Sequence, residues 1–220
     1  YGSIKDIDKI IKRLIDACGF QGEEADKVYL AFVYAIYLHD YGKINPRYQY
    51  DVLKNKVFYA IRGQAINSNH ALASAYLYLD HMYRLWPEKP TPVLAKCLAN
   101  FAYCISKHHG NLGNGHDFSD LEHFAEKYYI SEIDHSIFEY TQYYMQQQKL
   151  IKQPIAFYIL CRFLYTLIVG CDYRVLKGRA AGNWRRATTK VRSVRASGNI
   201  NIIRLISTVI QSINCAMNYF

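Results

Sequence analysis

His39 and Asp40 put an imidazole and a carboxylate side by side, directly after an apolar run. Such a pair can hold one divalent ion from two sides, and an ion held this way acidifies bound water and polarises a phosphate. The dipeptide alone is weak, because a hydrogen-bonded surface His–Asp pair is the commoner arrangement. It recurs at His116-Asp117, in a Gly- and Asn-rich stretch that reads as a solvated loop. The surroundings of His39 are what matter. Gly42 allows a tight backbone there, and Lys43 brings a cation near any phosphate drawn to the pair.

Further ligand types stand at expected helix ends. His70 opens one helix, and His108-His109 followed by Gly110 closes another. Asp172 ends an apolar run, where an unpaired carboxylate is costly. Four His and two Asp at helix termini can converge, and two metals roughly 3.5–4 Å apart suit an in-line attack on a phosphodiester. Each residue also has a plainer reading. His70 serves as an exposed helix start, His108 and His109 as solvent-facing rings, Asp172 as the partner of Arg162 or Arg174, and Lys43 as a surface lysine. His81, His116, His123 and His135 fit no arrangement. Walker, dinucleotide-binding and nucleophile-elbow motifs are missing, and the six Cys lack zinc-finger spacing.

The elements that must position these residues read as helices nearly throughout. Ile7, Ile10, Ile11, Leu14 and Ile15 give an amphipathic helix over 3–17, stopped by Gly19. A mostly apolar helix over 22–38, with Glu23 and Glu24 in its first turn, delivers His39 and Asp40. Mixed helical segments follow to about residue 63. Further helices are expected over 70–84, capped by Asn67 or Ser68, over 92–107, 120–127, 131–148 and 155–172. Residues 177–199, broken by Gly, look loose, and 200–220 return to a helical pattern. Without strand-type alternation, the expected class is all-α.

Just over half of the 220 residues are apolar, so the chain has enough material for a core. Its first residue is Tyr1 rather than Met, which reads as a piece of a longer protein. The Cys residues sit in apolar runs, as buried free thiols of a reducing compartment do. No signal peptide is visible, and Ile155–Gly170, the best apolar run, is short and carries Arg162. A cytoplasmic protein with no membrane partner is the expectation. Charge is uneven: residues 1–172 balance 18 Lys+Arg against 18 Asp+Glu, while residues 173–220 hold nine Lys+Arg and no acid. Such a segment binds phosphates or an acidic partner, or is a solvated tail.

Taken together, Leu38 to Gln49 resembles the HD motif of the nuclease domain in the type I CRISPR helicase-nuclease. His39-Asp40-Tyr41-Gly42-Lys43 is followed by Pro46 and then by the aromatic–Gln pair Tyr48-Gln49. Asn69-His70, with Ser74 four residues on, is similar to the family's next His motif. Ser106 to Gly110 is similar to its double-His motif, and Cys171-Asp172-Tyr173 to its last. The order and spacing agree over residues 30–175.

The resemblance implies an all-helical HD bundle over 1–175, with 176–220 as a basic segment and C-terminal helix packed on it or leading out. It implies one or two divalent metals, with Mn, Mg, Co and Ni as candidates. His39, Asp40 and Asp172 would bind one metal, Asp40 bridging to a second held by His70, His108 and His109. Asp40 and Lys43 would be catalytic, Lys43 holding the scissile phosphate. Lys43, Arg47, Lys177, Arg179, Arg185, Arg186, Lys190 and Arg192 would contact nucleic acid. The implied substrate is single-stranded DNA, and the implied partners are a CRISPR helicase domain or subunit and the RNA-guided surveillance complex.

One departure concerns the first helix, where the family carries a metal-binding His. No His precedes His39, and Asp6 sits near the expected place. Either Asp6 supplies an oxygen ligand, the His lies before Tyr1, or the first metal binds weakly. Two other functions compete: an HD phosphohydrolase acting on nucleotides or cyclic nucleotides, and a degenerate HD adaptor without catalysis.

Overall fold

Ile7, Ile11 and Ile15 fall one turn apart and are all buried, so α1 (Ile4–Ala17) lays one stripe on the core. Ile10, which the sequence pattern assigned to that stripe, is 41% exposed. Gly19 then takes a φ of +86°, which suits glycine and lets the chain turn back. The computed structural model describes residues 4–62, 69–86, 88–110 and 135–180. Among these are seven α-helices, three short 3-10 turns and no strand, so the all-α class is correct.

α2 (Gly22–Leu38) begins with Glu23 and Glu24 at the positive end of its dipole and ends at His39. Its apolar faces are nearly continuous, which marks a helix packed on several sides. After it come a 3-10 turn (Tyr41–Ile44), the short α3 (Pro46–Asp51) and a second 3-10 turn (Lys56–Ile61). α4 (His70–Leu85) is capped by Asn69, whose side chain accepts from Ala71 N at 3.1 Å and Leu72 N at 3.4 Å. Asn69 thus fills the role expected of Asn67 or Ser68, both of which lie outside the described residues.

α5 (Pro92–Ser106) is the central helix. Thr91 caps it, Pro92 fits its first turn, and 11 of its 15 residues are buried. α2, α4, α6 (His135–Gln146) and α7 (Pro154–Ala180) pack around it, and α1 lies on α2 and α7. Phe32 of α2 meets Phe101 of α5 edge-on at 5.7 Å, and Tyr78 of α4 donates to the Ala31 carbonyl of α2 at 3.1 Å. The buried Lys96 donates to the Met145 carbonyl at 2.9 Å, so a cation on α5 caps the C-terminal end of α6. Cys18, Cys97, Cys104 and Cys161 are buried free thiols and Cys171 is a half-buried one.

α7 differs from expectation at its C-terminus. It runs to Ala180, past the expected end at Asp172 and into residues read as loose. One interior glycine costs a helix only about 1 kcal/mol, so Gly170 and Gly178 do not break it. Asp172 consequently lies within the helix rather than at its end. The longer helix also contains an 18-residue apolar window, Pro154–Cys171, with mean hydropathy 1.8, long enough by composition to cross a bilayer. Its inner face packs on α1, α2 and α5. The stretches expected as a loop over 110–117 and as helices over 120–127 and 200–220 lie largely or wholly outside the described residues.

Candidate metal centre

Helix ends from α2, α4 and α5 meet at one point. α2 delivers His39 as its C-cap and Asp40 one residue later. His70 is the first residue of α4, and His108 and His109 follow Lys107, the C-cap of α5. α5 therefore ends before the histidines. Gly110, expected to stop the helix, instead closes the next turn through its N–H to the Lys107 carbonyl at 2.8 Å. The hydroxyl of Tyr165 on α7 donates to the Gly110 carbonyl and pins that turn.

The Asp40 carboxylate is the hub. Oδ1 lies 3.4 Å from His70 Nε2 and 3.8 Å from His108 Nε2, and Oδ2 lies 3.7 Å from His39 Nε2. His70, His108 and His109 bring one nitrogen each within 4.8 Å of one another. His39, His70 and His108 are buried and His109 is exposed, so the group is open on one side.

Two of the rings are fixed in the same way. His39 Nδ1 meets the Ile36 carbonyl at 2.6 Å, and His108 Nδ1 meets the Ile105 carbonyl at 2.6 Å. A carbonyl can only accept, so each Nδ1 carries the proton. In the neutral ring each Nε2 then turns a lone pair toward the Asp40 hub. Burial pushes His108 down to about 3, with His109 and His39 adding to the effect. His108 is therefore neutral at pH 7 and fit to be a ligand. Burial alone would raise the Asp40 carboxyl. The His70 contact, the His39 ring and the Lys43 ammonium outweigh it and hold the group well below the usual carboxylate range.

Gly42 explains how α4 comes so close. Its N–H donates to Ser74 Oγ at 2.8 Å, and that hydroxyl donates to the His70 carbonyl at 2.8 Å. A Cβ on Gly42 would lie 2.1 Å from the His70 oxygen and 2.7 Å from Ala73 Cβ. Close approach, rather than a special turn, is what glycine supplies at this position. Ser74, Gln49, Tyr48 and Tyr165 support the centre without any role having been read for them. Gln49 donates to the Lys43 carbonyl and accepts from Asn55 Nδ2, and Tyr48 sits edge-on to His70 at 4.6 Å. Gln49 and Tyr48 form the aromatic–Gln pair after Pro46, and Ser74 lies one helical turn after His70, so those signals were present. For Tyr165 there was none.

Lys43 lies beside the hub, and the other candidates fall elsewhere. Lys43 Nζ pairs with Asp40 Oδ2 at 2.5 Å, and Arg47 pairs with Asp51. Asp6 is half-buried in the first turn of α1, outside the group of His70, His108 and His109. His81 packs on Tyr34 at 4.8 Å between ring centres, a structural contact. The backbones of Asp172, Lys177 and Arg179 are in α7, and their side chains lie outside the described residues. So do Arg185, Arg186, Lys190 and Arg192 entirely, along with His116, His123 and the side chain of His135.

A carboxylate ringed by imidazole nitrogens, on helix ends of an all-α bundle, is the chemistry of an HD centre. A family model described as "Cas3, HD domain" matches residues 4–166, more than half of the sequence. This chain belongs to the Cas3 HD-domain family. Membership places it among the CRISPR-associated HD nucleases, a hydrolase family that binds divalent metal and acts on nucleic acid. No curated protein and no solved structure gives a match. The matched stretch includes every member of the centre from His39 to His109, and α7 through Thr166.

The donor set fits a divalent cation. Neutral imidazole nitrogens and a carboxylate together are divalent-metal ligands, and the buried Asp40 Oδ1 has no hydrogen-bond partner. His70, His108 and His109 form a group that could hold it, and Asp40 and His39 lie beside that group.

Proposed function

We propose that this HD domain is a metal-dependent nuclease that cleaves single-stranded DNA in type I CRISPR interference. The observation that carries the reading is the convergence of His39, His70 and His108 on Asp40, with His109 at the open edge. Bound divalent ions would supply Lewis-acid polarisation of the phosphate and a lowered pKa for water. The protein's own residues do the rest. Asp40 stays ionised and offers both oxygens. The carbonyls of Ile36 and Ile105 hold His39 and His108 in the tautomer that presents Nε2. Lys43, at the rim beside Asp40, offsets charge on a phosphoryl oxygen. Asp172 completes the ligand set on the reading from sequence.

The acid-free run of cations from Arg174 to Arg204 supports a polyanionic substrate over a free nucleotide. A helicase, fused or separate, and an RNA-guided surveillance complex would deliver the strand. With manganese, magnesium, cobalt or nickel, the purified chain should cut single-stranded DNA and leave mononucleotides and cyclic nucleotides largely intact. Asp40→Ala should abolish cutting with an unchanged helical circular-dichroism spectrum. Cutting that survives this substitution refutes the mechanism, and nucleotide hydrolysis without DNA cutting moves the chain to the nucleotide phosphohydrolases.

A further inference from the structure

Residues 41–62, between the metal centre and α4, have a composition unlike the core helices. Five Lys or Arg face a single acid, Asp51, and four Tyr and one Phe are interleaved with them. Lys43 and Arg47 are engaged by Asp40 and Asp51, whereas Lys54, Lys56 and Arg62 are exposed. Several large apolar side chains also face solvent here: Tyr41, Ile44, Val52, Leu53, Val57 and Tyr59. Val57 is 85% exposed and Tyr59 is 58% exposed.

The stretch is built to hold its shape. Asn45 caps α3, accepting from Arg47 N at 2.8 Å, and Asn55 caps the second 3-10 turn, accepting from Val57 N at 3.2 Å. Gln49 ties both to the Lys43 backbone. Tyr50 meets Tyr59 edge-on at 6.1 Å, and the Arg62 guanidinium donates to the Tyr59 hydroxyl at 2.8 Å while lying over its ring. Lys54 adopts a φ of +54°, a conformation that favours glycine or asparagine. A lysine at that position keeps a charge at the cost of backbone ease. The platform adjoins the centre directly, since Tyr48 of α3 packs on His70.

From these features we infer that residues 41–62 form a stacking platform that binds single-stranded nucleic acid and feeds it toward Asp40. Tyr59 offers a ring face to a base, with Arg62 stiffening it. Lys54, Lys56 and Arg62 meet the phosphates. Exposed aromatics among cations suit a single strand, whose bases are free to stack, better than a duplex. This inference deepens the nuclease reading and names the surface on which its substrate lies.

The test is fluorescence anisotropy of the full chain with an oligothymidylate of about 16 nucleotides, in EDTA, so that binding is scored whether or not the protein cuts. Tyr59→Ala should weaken binding at least about 5-fold, and Tyr59→Phe should restore it. In the triple variant Lys54→Gly, Lys56→Ala, Arg62→Ala, the slope of log affinity against log salt should shrink by about 2. Lys54→Gly relieves the positive φ, so its effect is not one of misfolding. Unchanged affinity and slope in these variants would overturn the platform and leave the surface to a protein partner. No binding by the wild type, or equal binding of a duplex, would overturn it too. Binding that behaves as described in a protein that never cuts DNA would refute the nuclease reading alone.

Discussion

The imidazoles of the centre fall into two pairs held in different ways. His39 and His108 are buried and locked, each with Nδ1 spent on the carbonyl three residues back in its own helix end. His70 and His109 instead meet each other, Nε2 to Nε2 at 2.8 Å, with His109 exposed. Only one of those two nitrogens can donate, and which one does so depends on the tautomers of the two rings. The inner pair is preorganised by main chain, and the outer pair is set by side-chain contact and by where α4 begins. Identical residue types thus have unequal freedom, and the helix ends decide which is which.

The largest effect should come from breaking the junction between the pairs. Gly42→Ala drives a Cβ into the His70 carbonyl and Ala73, so α4 and the outer pair must move away from Asp40. A loss of about 3 kcal/mol is expected, at the high end of overpacking costs, read by urea unfolding. A loss under 0.5 kcal/mol, roughly the scatter of surface substitutions, would show that the approach of α4 is not tight.

Acid should act next, and on the inner pair. His108 is pushed down from 6.5 to about 3, so the unfolded chain takes up this proton first as pH falls. Stability from this group is complete above about pH 6.5 and is lost progressively toward pH 3. Metal-free protein should therefore lose up to about 1.4 kcal/mol per pH unit from this residue. Asp40, held below its ordinary 3.8, contributes only under about pH 4. His108→Gln should flatten the curve between those limits, and His109→Gln should not. Equal flattening by both would erase the distinction between the pairs.

The smallest change expected is Asn69→Ala, which removes the cap of the helix that carries His70. It should cost about 1 kcal/mol and loosen the outer pair alone. Exchange-broadened ring signals for His70 and His109, with those of His39 and His108 unchanged, would confirm this by NMR.

Much of this was legible in the sequence because helix ends have local causes. The apolar run into His39, the cap before His70 and the double His after Ser106 each announce a terminus, and the family's motif order supplies their meeting. What sequence could not convey is approach. Nothing local says that Gly42 lies against the His70 carbonyl, since that distance depends on α2 and α4 both packing on α5. The end of α7 was misread for a related reason. Gly178 stands in the stretch that reads as loose, yet a penalty of about 1 kcal/mol is small beside the burial of Leu160, Leu164 and Ile168 upstream. The platform at 41–62 was hidden because its tyrosines are indistinguishable by type from the many that are buried, such as Tyr76 and Tyr78.

Anomalous diffraction from crystals of the full chain grown with manganese tests the centre most directly. At least one strong peak is expected, bounded by Asp40 and the Nε2 atoms of His39, His70 and His108, with His109 on its open side. Peaks lying away from Asp40, or no bound manganese at all, would contradict it.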